Sequence, residues 1–262
     1  MGAEPSLSGT FRDLQEEVGF HLGYGRNPDD FSDDQEAEVD AVIQAGYRQF
    51  LTPPQSTNMA PPQWTFLKPV ISIGLIASRW EYDLPDDFGA FEGDLTIVST
   101  STRYSALRQV GEGVIRERRS GSSTASGTPR CYAIQTGKVQ GGTGQRHSLL
   151  VWPTPDTTYA VEGRMVVWPQ RLTTTNKYPY GGPAHYETIL ASCLAVAEQR
   201  HDDMKGPMWQ SFVERLTASV AYDARMKPER LGYNADRSDW TARDTDPRMR
   251  EGYYTTYNDV RY

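Results

Sequence analysis

Proline and glycine cut this chain into a helical beginning, a strand-forming middle and a helical end, and that order restricts it to a mixed α+β fold. The first helix signal spans residues 10–22. Thr10 can cap it with Asp13 three residues on, and Phe11, Leu14, Val18 and Leu22 make one stripe. Asn27-Pro28 breaks that pattern. A second helix starts at Ser32, with Gln35 as its box partner, and runs to residue 51. Its first-turn acids Asp33, Asp34 and Glu36 suit the positive end of the helix dipole. Val39, Ile43, Gly46, Tyr47 and Phe50 form its buried face, and Pro53-Pro54 ends it.

From residue 61 to 169 the apolar period drops toward two. Strands are expected over 70–78, 94–99, 130–136, 147–152 and 158–167, with a short helix at 105–118, a loop at 120–128 and a hairpin tip at 141–144. Gly182-Pro183 then opens a helix with a wide apolar face, Tyr186, Ile189, Leu190, Cys193, Leu194 and Ala197, kept slim by Ala191 and Ala195. A short turn, Asp203-Met204-Lys205-Gly206, leads to a helix opened by Pro207. It carries Trp209, Phe212, Val213, Leu216 and Val220, and Pro228 closes it. So short a connection favours an antiparallel helical hairpin. Residues 229–262 have neither period. The expected architecture is α+β: N-terminal helices (1–60) and a helical hairpin (181–228) forming a small bundle, an inserted antiparallel β-rich domain (61–180), and an extended C-terminal arm (229–262).

Composition narrows the function. Hydrophobic residues are 37% of the 262 and the mean hydropathy is -0.63, both low for a self-sufficient globule, so part of the chain is expected to be ordered by neighbours. Six Trp and fifteen Tyr supply adhesive surface. The net charge of -7 gives no general basic field for gripping nucleic acid. The charge is uneven. Residues 1–40 hold eleven acids and two basic residues, whereas residues 100–147 hold eight Lys/Arg against Glu112 and Glu117. Acids such as Asp33, Asp34 and Glu36 could meet Arg116, Arg118 and Arg119 of a neighbouring copy. The same arginines could instead meet DNA phosphates, and two differently solvated faces would account for the same charges. The N-terminus is polar and acidic, without a signal peptide, and the apolar run at 70–77 is far below the ~20 residues of a membrane span. A soluble protein made in a reducing cytoplasm, without membrane contact, is the expectation, with Cys131 and Cys193 as buried thiols.

No constellation for chemistry emerges. Gly141-Gly142-Thr143-Gly144 lacks the Gly-Lys-Ser/Thr ending of a phosphate loop. His21, His147, His185 and His201 have no zinc-ligand spacing, and His201-Asp202-Asp203 reads as a solvated helix end. His185 and Glu187 are two apart on a helix and point in different directions. Asp29-Asp30 and Asp86-Asp87 are adjacent acids of a kind common in turns. No catalytic, cofactor-binding or metal-binding residue is assigned, and no enzyme activity or cofactor is expected.

Four stretches carry a resemblance instead: Trp64-Thr65-Phe66-Leu67-Lys68-Pro69; Tyr82-Asp83-Leu84-Pro85-Asp86-Asp87-Phe88; Leu149-Leu150-Val151-Trp152-Pro153-Thr154-Pro155-Asp156; and Tyr178-Pro179-Tyr180-Gly181-Gly182. In this order, between two helical pairs, they resemble the head-to-tail adaptor (connector, or head-completion) proteins of tailed bacteriophages. The resemblance implies a homo-oligomeric, commonly dodecameric ring in the virion neck. Such a ring binds the portal protein, extends the DNA channel without specific DNA binding, and offers a docking surface to tail or nozzle proteins. It also implies a helical bundle near the portal and a β-rich part facing the tail. In several such proteins a C-terminal extension reaches into the portal. Here Trp240, Arg248, Arg250, Tyr253, Tyr254, Tyr257, Arg261 and Tyr262 would be its anchors, on the portal or on adjacent copies. Pro85, Pro153 and Pro155 read as turn residues, Tyr82 and Phe88 as packing around a turn, and Trp152 as a strand end. Two other readings are a tail-tube or collar component and a carbohydrate-binding β module. The second would need exposed, coplanar Trp and Tyr.

Overall fold

The structure, a computed structural model, describes residues 7–54, 64–99, 102, 104–121, 125–139, 144–226, 256–257 and 260–261. Among them run helices α1 (Phe11–His21), α2 (Asp33–Leu51), α3 (Glu112–Gly121), α4 (Pro183–His201) and α5 (Pro207–Arg225). The strands are β1 (Val70–Leu75), β2 (Glu81–Asp83), β3 (Phe88–Val98), β4 (Arg108–Gln109), β5 (Cys131–Thr136), β6 (His147–Trp152), β7 (Tyr159–Val167), β8 (Thr256–Tyr257) and β9 (Val260–Arg261). The fold is thus mixed α+β. It divides into a helical unit drawn from Met1–Leu67 and Pro169–Pro228 and a β unit built on Lys68–Trp168.

In the helical unit both anticipated capping boxes form. Asp13 accepts from the Thr10 backbone N–H at 2.6 Å, and Gln35 accepts from that of Ser32 at 3.0 Å. The stripes they launch meet in one core. Leu14, Val18, Val39, Ile43, Phe50, Ile189 and Cys193 are fully buried in it, each aliphatic or aromatic side chain stabilising by roughly 1.5–3 kcal/mol. α2 and α4 pack closely at Gly46, where a Cβ would lie 2.5 Å from the Cys193 Cα. The Ser192 hydroxyl donates to the Gly46 carbonyl there at 2.8 Å. On the other side of α4, Ala191 and Ala195 receive Phe212 of α5.

Three buried polar groups tie loops to this core, and none was apparent from spacing. Glu198 accepts from the N–H groups of Gly206, Met208 and Trp209 at 3.1, 3.1 and 3.2 Å, so a carboxylate from α4 caps α5 in place of a side chain at Gly206. Gln44 donates to the Leu172 carbonyl at 2.7 Å and accepts from its N–H at 3.2 Å. The Tyr47 hydroxyl accepts from the Tyr180 N–H at 2.9 Å, which anchors the Tyr-Pro-Tyr-Gly-Gly stretch.

The β unit holds two sheets. One is antiparallel with order β1-β7-β3; the other has order β2-β6-β5-β4, with β4 parallel to β5. Tyr82 sits at the first turn as expected, its hydroxyl accepting from Ile76 N–H at 2.9 Å and donating to Arg79 C=O at 2.7 Å. Phe88 packs edge-on against Phe91. The Pro85 carbonyl accepts a turn hydrogen bond from the Phe88 N–H, and the Pro155 carbonyl accepts a long-range one from the Ser78 N–H.

Several elements depart from the sequence reading. β1 stops at Leu75 rather than continuing to residue 78. β3 begins at Phe88, six residues ahead of the expected start. Gly93, at φ +83, and a register shift between Glu92 and Thr96 break its alternation, so the two halves do not read as one strand. The helix expected from residue 105 begins only at Glu112. Leu107 is fully buried and donates to the Leu95 carbonyl at 2.7 Å, while Arg108–Gln109 pair with β5. That helix then runs to Gly121, into the stretch read as loop. Residues 141–143 of the anticipated hairpin tip lie outside the described residues, though β5 and β6 do pair antiparallel up to Thr136 and His147. Beyond residue 229, where no strand period was read, β8 and β9 form a two-stranded antiparallel pair.

Candidate assembly surfaces

The acids of α2 lie where the dipole argument puts them. Asp33, Asp34 and Glu36 are exposed on its first turn. Glu36 borders a groove of about 410 Å³, shared with Arg12, Asp29, Asp40, Arg171 and Thr173. Within it Arg12 makes a two-pronged pair to Asp29 at 3.2 and 2.7 Å, and this guanidinium holds the Asp29 carboxyl below its ordinary range. Gln15 donates to Asp40 at 2.9 Å.

The arginines of α3 are partly engaged within the β unit. Arg116 pairs with Glu112 one turn earlier. Arg119 lies 3.8 Å over the Trp80 ring and donates to the Thr154 hydroxyl at 3.4 Å. Arg118 is exposed, with one nitrogen 3.4 Å from the Cys131 sulfur. Of the three, Arg118 has the least to lose by turning to a partner.

Of the proposed arm anchors, Trp240, Arg248, Arg250, Tyr253, Tyr254 and Tyr262 lie outside the described residues. Tyr257 and Arg261 fall in β8 and β9.

Geometry does create one pair that resembles catalytic machinery. His185 Nδ1 is 2.9 Å from the Ser219 hydroxyl, which is 2.8 Å from that of Thr188. Asp223, one turn along α5, instead accepts from Thr65, at 3.0 Å from its N–H and 2.6 Å from its hydroxyl. The imidazole is enclosed by Phe50, Trp64, Phe66 and Tyr222. His185 and Ser219 are both buried, which denies a substrate access, and the cluster instead fastens residues 64–66 to α4 and α5. Burial lowers the His185 pKa, partly opposed by Asp223, so the fold favours the neutral ring. A proton therefore binds the unfolded chain more readily. The stabilising contribution is complete above the unfolded value, near 6.5, and declines as pH falls below it. Thermal melts of wild type between pH 7.5 and 5.5 should show this decline, and His185→Gln should flatten it. Equal slopes in the two proteins would contradict the assignment.

The thiols are equally unsuited to chemistry. Burial pushes Cys193 up to about 12 and raises Cys131, for which Arg118 only partly compensates. Among the described residues no group of three or more His, Cys, Asp or Glu could hold a metal ion, and no helix is long and apolar enough to cross a membrane. Tryptophans are mostly packed: Trp64 is buried, Trp80 lies under Arg119, and Trp168 at 62% is the largely exposed one among the described residues.

The sequence model of the SU10 adaptor protein family matches residues 9–258. The chain belongs to the SU10 adaptor protein family. The match covers both units and nearly the whole C-terminal segment. No curated protein matches the chain significantly. Family membership makes this SU10-type adaptor a structural protein of a bacteriophage, working with other head and tail proteins, and the family is not a class of enzymes.

Proposed function

We propose that this adaptor assembles as a ring, commonly dodecameric in such proteins, between the portal and the tail. It would prolong the DNA channel and present the surface on which the tail or nozzle docks. Family membership over residues 9–258 carries the reading. The distribution of charge supports it. Residues 1–67 and 169–228 hold seventeen acids against ten Lys/Arg, a net -7, while residues 68–168 hold ten acids against eleven Lys/Arg. The helical unit therefore bears the whole net charge, and a channel wall made from it repels DNA phosphates and lets the duplex slide. Exposed acids at the start of α2 in one copy meet the α3 arginines of the next. Residues 229–262 are the arm, with Trp240 and the terminal tyrosines as buried anchors and Arg248, Arg250 and Arg261 at the rim.

The charge contact is tested by Arg118→Glu, because inside its own chain Arg118 makes only the weak contact to the Cys131 sulfur, whereas Arg116 pairs with Glu112 and Arg119 lies on Trp80. At low salt, where exposed charges act most strongly, the variant should self-associate about fivefold to tenfold more weakly by sedimentation equilibrium, with an unchanged melt. Combining it with Asp33→Arg and Asp34→Arg should recover association. Wild-type association by Arg118→Glu at low salt would refute the contact.

A further inference from the structure

β1 lies at the rim of its sheet, paired with β7 on one side and, among the described residues, with no strand on the other. The register identifies the groups that face outward. Met165 N–H donates to the Pro69 carbonyl at 3.0 Å. Pro69, Ile71, Ile73 and Leu75 therefore direct their backbone groups to β7, and Val70, Ser72 and Gly74 direct theirs away from it. Natural sheets blunt such an edge with lysine, proline, a bulge or short length. Val-Ile-Ser-Ile-Gly-Leu has no charge and no proline, and its register with β7 is unbroken over six residues. Val70, 63% exposed, and Ile76, 54% exposed, bracket it with apolar surface. Among the described residues the other sheet edges are shorter or partly engaged. On β3 the Leu95 carbonyl accepts from Leu107 N–H at 2.7 Å and the Gly93 carbonyl from the Tyr132 hydroxyl at 3.0 Å. β2 has three residues and β4 two.

We propose that this edge of β1 receives an added strand from the C-terminal segment of a second copy, the β8–β9 hairpin with the residues just before it. The inference rests on the ring reading and names one of its contacts. Tyr253-Tyr254-Thr255-Thr256-Tyr257 is an uninterrupted run of strand formers without charge, proline or glycine. Among the described residues β8 pairs with β9, in a sheet separate from that of β1. The 26 residues from 227 to 252 can span up to roughly 90 Å when extended, enough to reach an adjacent subunit. Main-chain hydrogen bonds at Val70, Ser72 and Gly74 give the strand its grip, as in other cases of strand addition.

The test uses full-length chains. Ser72→Pro deletes an outward N–H while sparing the ladder to β7, and it should weaken self-association at least tenfold. Ser72→Thr should match wild type. Independently, a tagged Ser72→Cys chain mixed with an untagged Thr256→Cys chain should give a mixed product with a short bis-maleimide linker; the native Cys131 and Cys193 are buried. This readout stands even if Ser72→Pro disturbs folding. Normal association by a folded Ser72→Pro variant, or linkage only inside a chain bearing both new cysteines, overturns the edge contact and leaves the ring intact. A wild type that stays monomeric at every concentration overturns the ring reading and the edge contact with it.

Discussion

A chain ending at residue 234 should fold, melt like the full-length protein and bind the portal at least a hundredfold more weakly. The stability half of this expectation follows from the core. The described buried residues of the helical unit lie between Phe11 and Asp223, and those of the β unit between Leu75 and Val167, so none of these side chains is removed by the deletion. The binding half follows from composition. Apart from the terminal tyrosines assigned to a neighbouring copy, residues 235–252 hold Trp240 and four arginines, the residue types that dominate interface hot spots. A hundredfold loss corresponds to about 2.7 kcal/mol, no more than one or two such anchors supply. Calorimetry and portal co-sedimentation measure the two halves separately. If the shortened chain docks with normal affinity, the helical body makes the contact and the arm assignment is wrong.

Gly46→Val should strongly destabilise the helical unit, costing about 2–4 kcal/mol. On an open helix surface, replacing glycine with a residue bearing a side chain generally raises stability. At Gly46 the new Cβ would meet the Cα, N and Sγ of Cys193 at 2.5, 2.7 and 2.8 Å, and two of those are main-chain atoms of a packed helix. α2 and α4 must separate, which strains the Ser192 bond to the Gly46 carbonyl and the packing of Ile43 and Ile189. Gly113→Ala is the matched control. It lies on α3 with nothing within 4 Å of its Cβ and should raise stability by up to about 1 kcal/mol. Similar losses at both positions, read by differential scanning calorimetry, would mean that helix crowding at Gly46 is not the cause.

These two sites also mark where the sequence was readable. Helix starts were legible because their determinants are local: Thr10 with Asp13, Ser32 with Gln35, and Pro183 and Pro207 at first helical positions. Gly46 could be placed on the inner face of α2 by period, but its partner Cys193 is remote in sequence. Glu198 capping α5, Gln44 holding Leu172, and Asp223 holding Thr65 were invisible for the same reason, since each uses a polar side chain that spacing alone marks as surface. In the β unit, Leu107 looked like the start of an apolar helical stripe, and only its pairing with Leu95 makes it extended. For the surfaces, sequence identified the basic α3 stretch but not that Arg119 would be drawn down onto Trp80. The open edge of β1 was present in the sequence as an uncharged apolar run, yet which flank of a strand stays unpaired is decided by sheet order.

The central claim is that this adaptor forms a ring joining portal to tail. A cryo-EM reconstruction of the virion neck tests it most directly. The expected result is a closed ring of this chain in contact with the portal on one side and a tail component on the other. The helical unit should face the channel, and residues 229–262 should be traceable onto the portal or a neighbouring copy. Density that places the chain within the tail, away from the portal, or as isolated copies around the neck would contradict it.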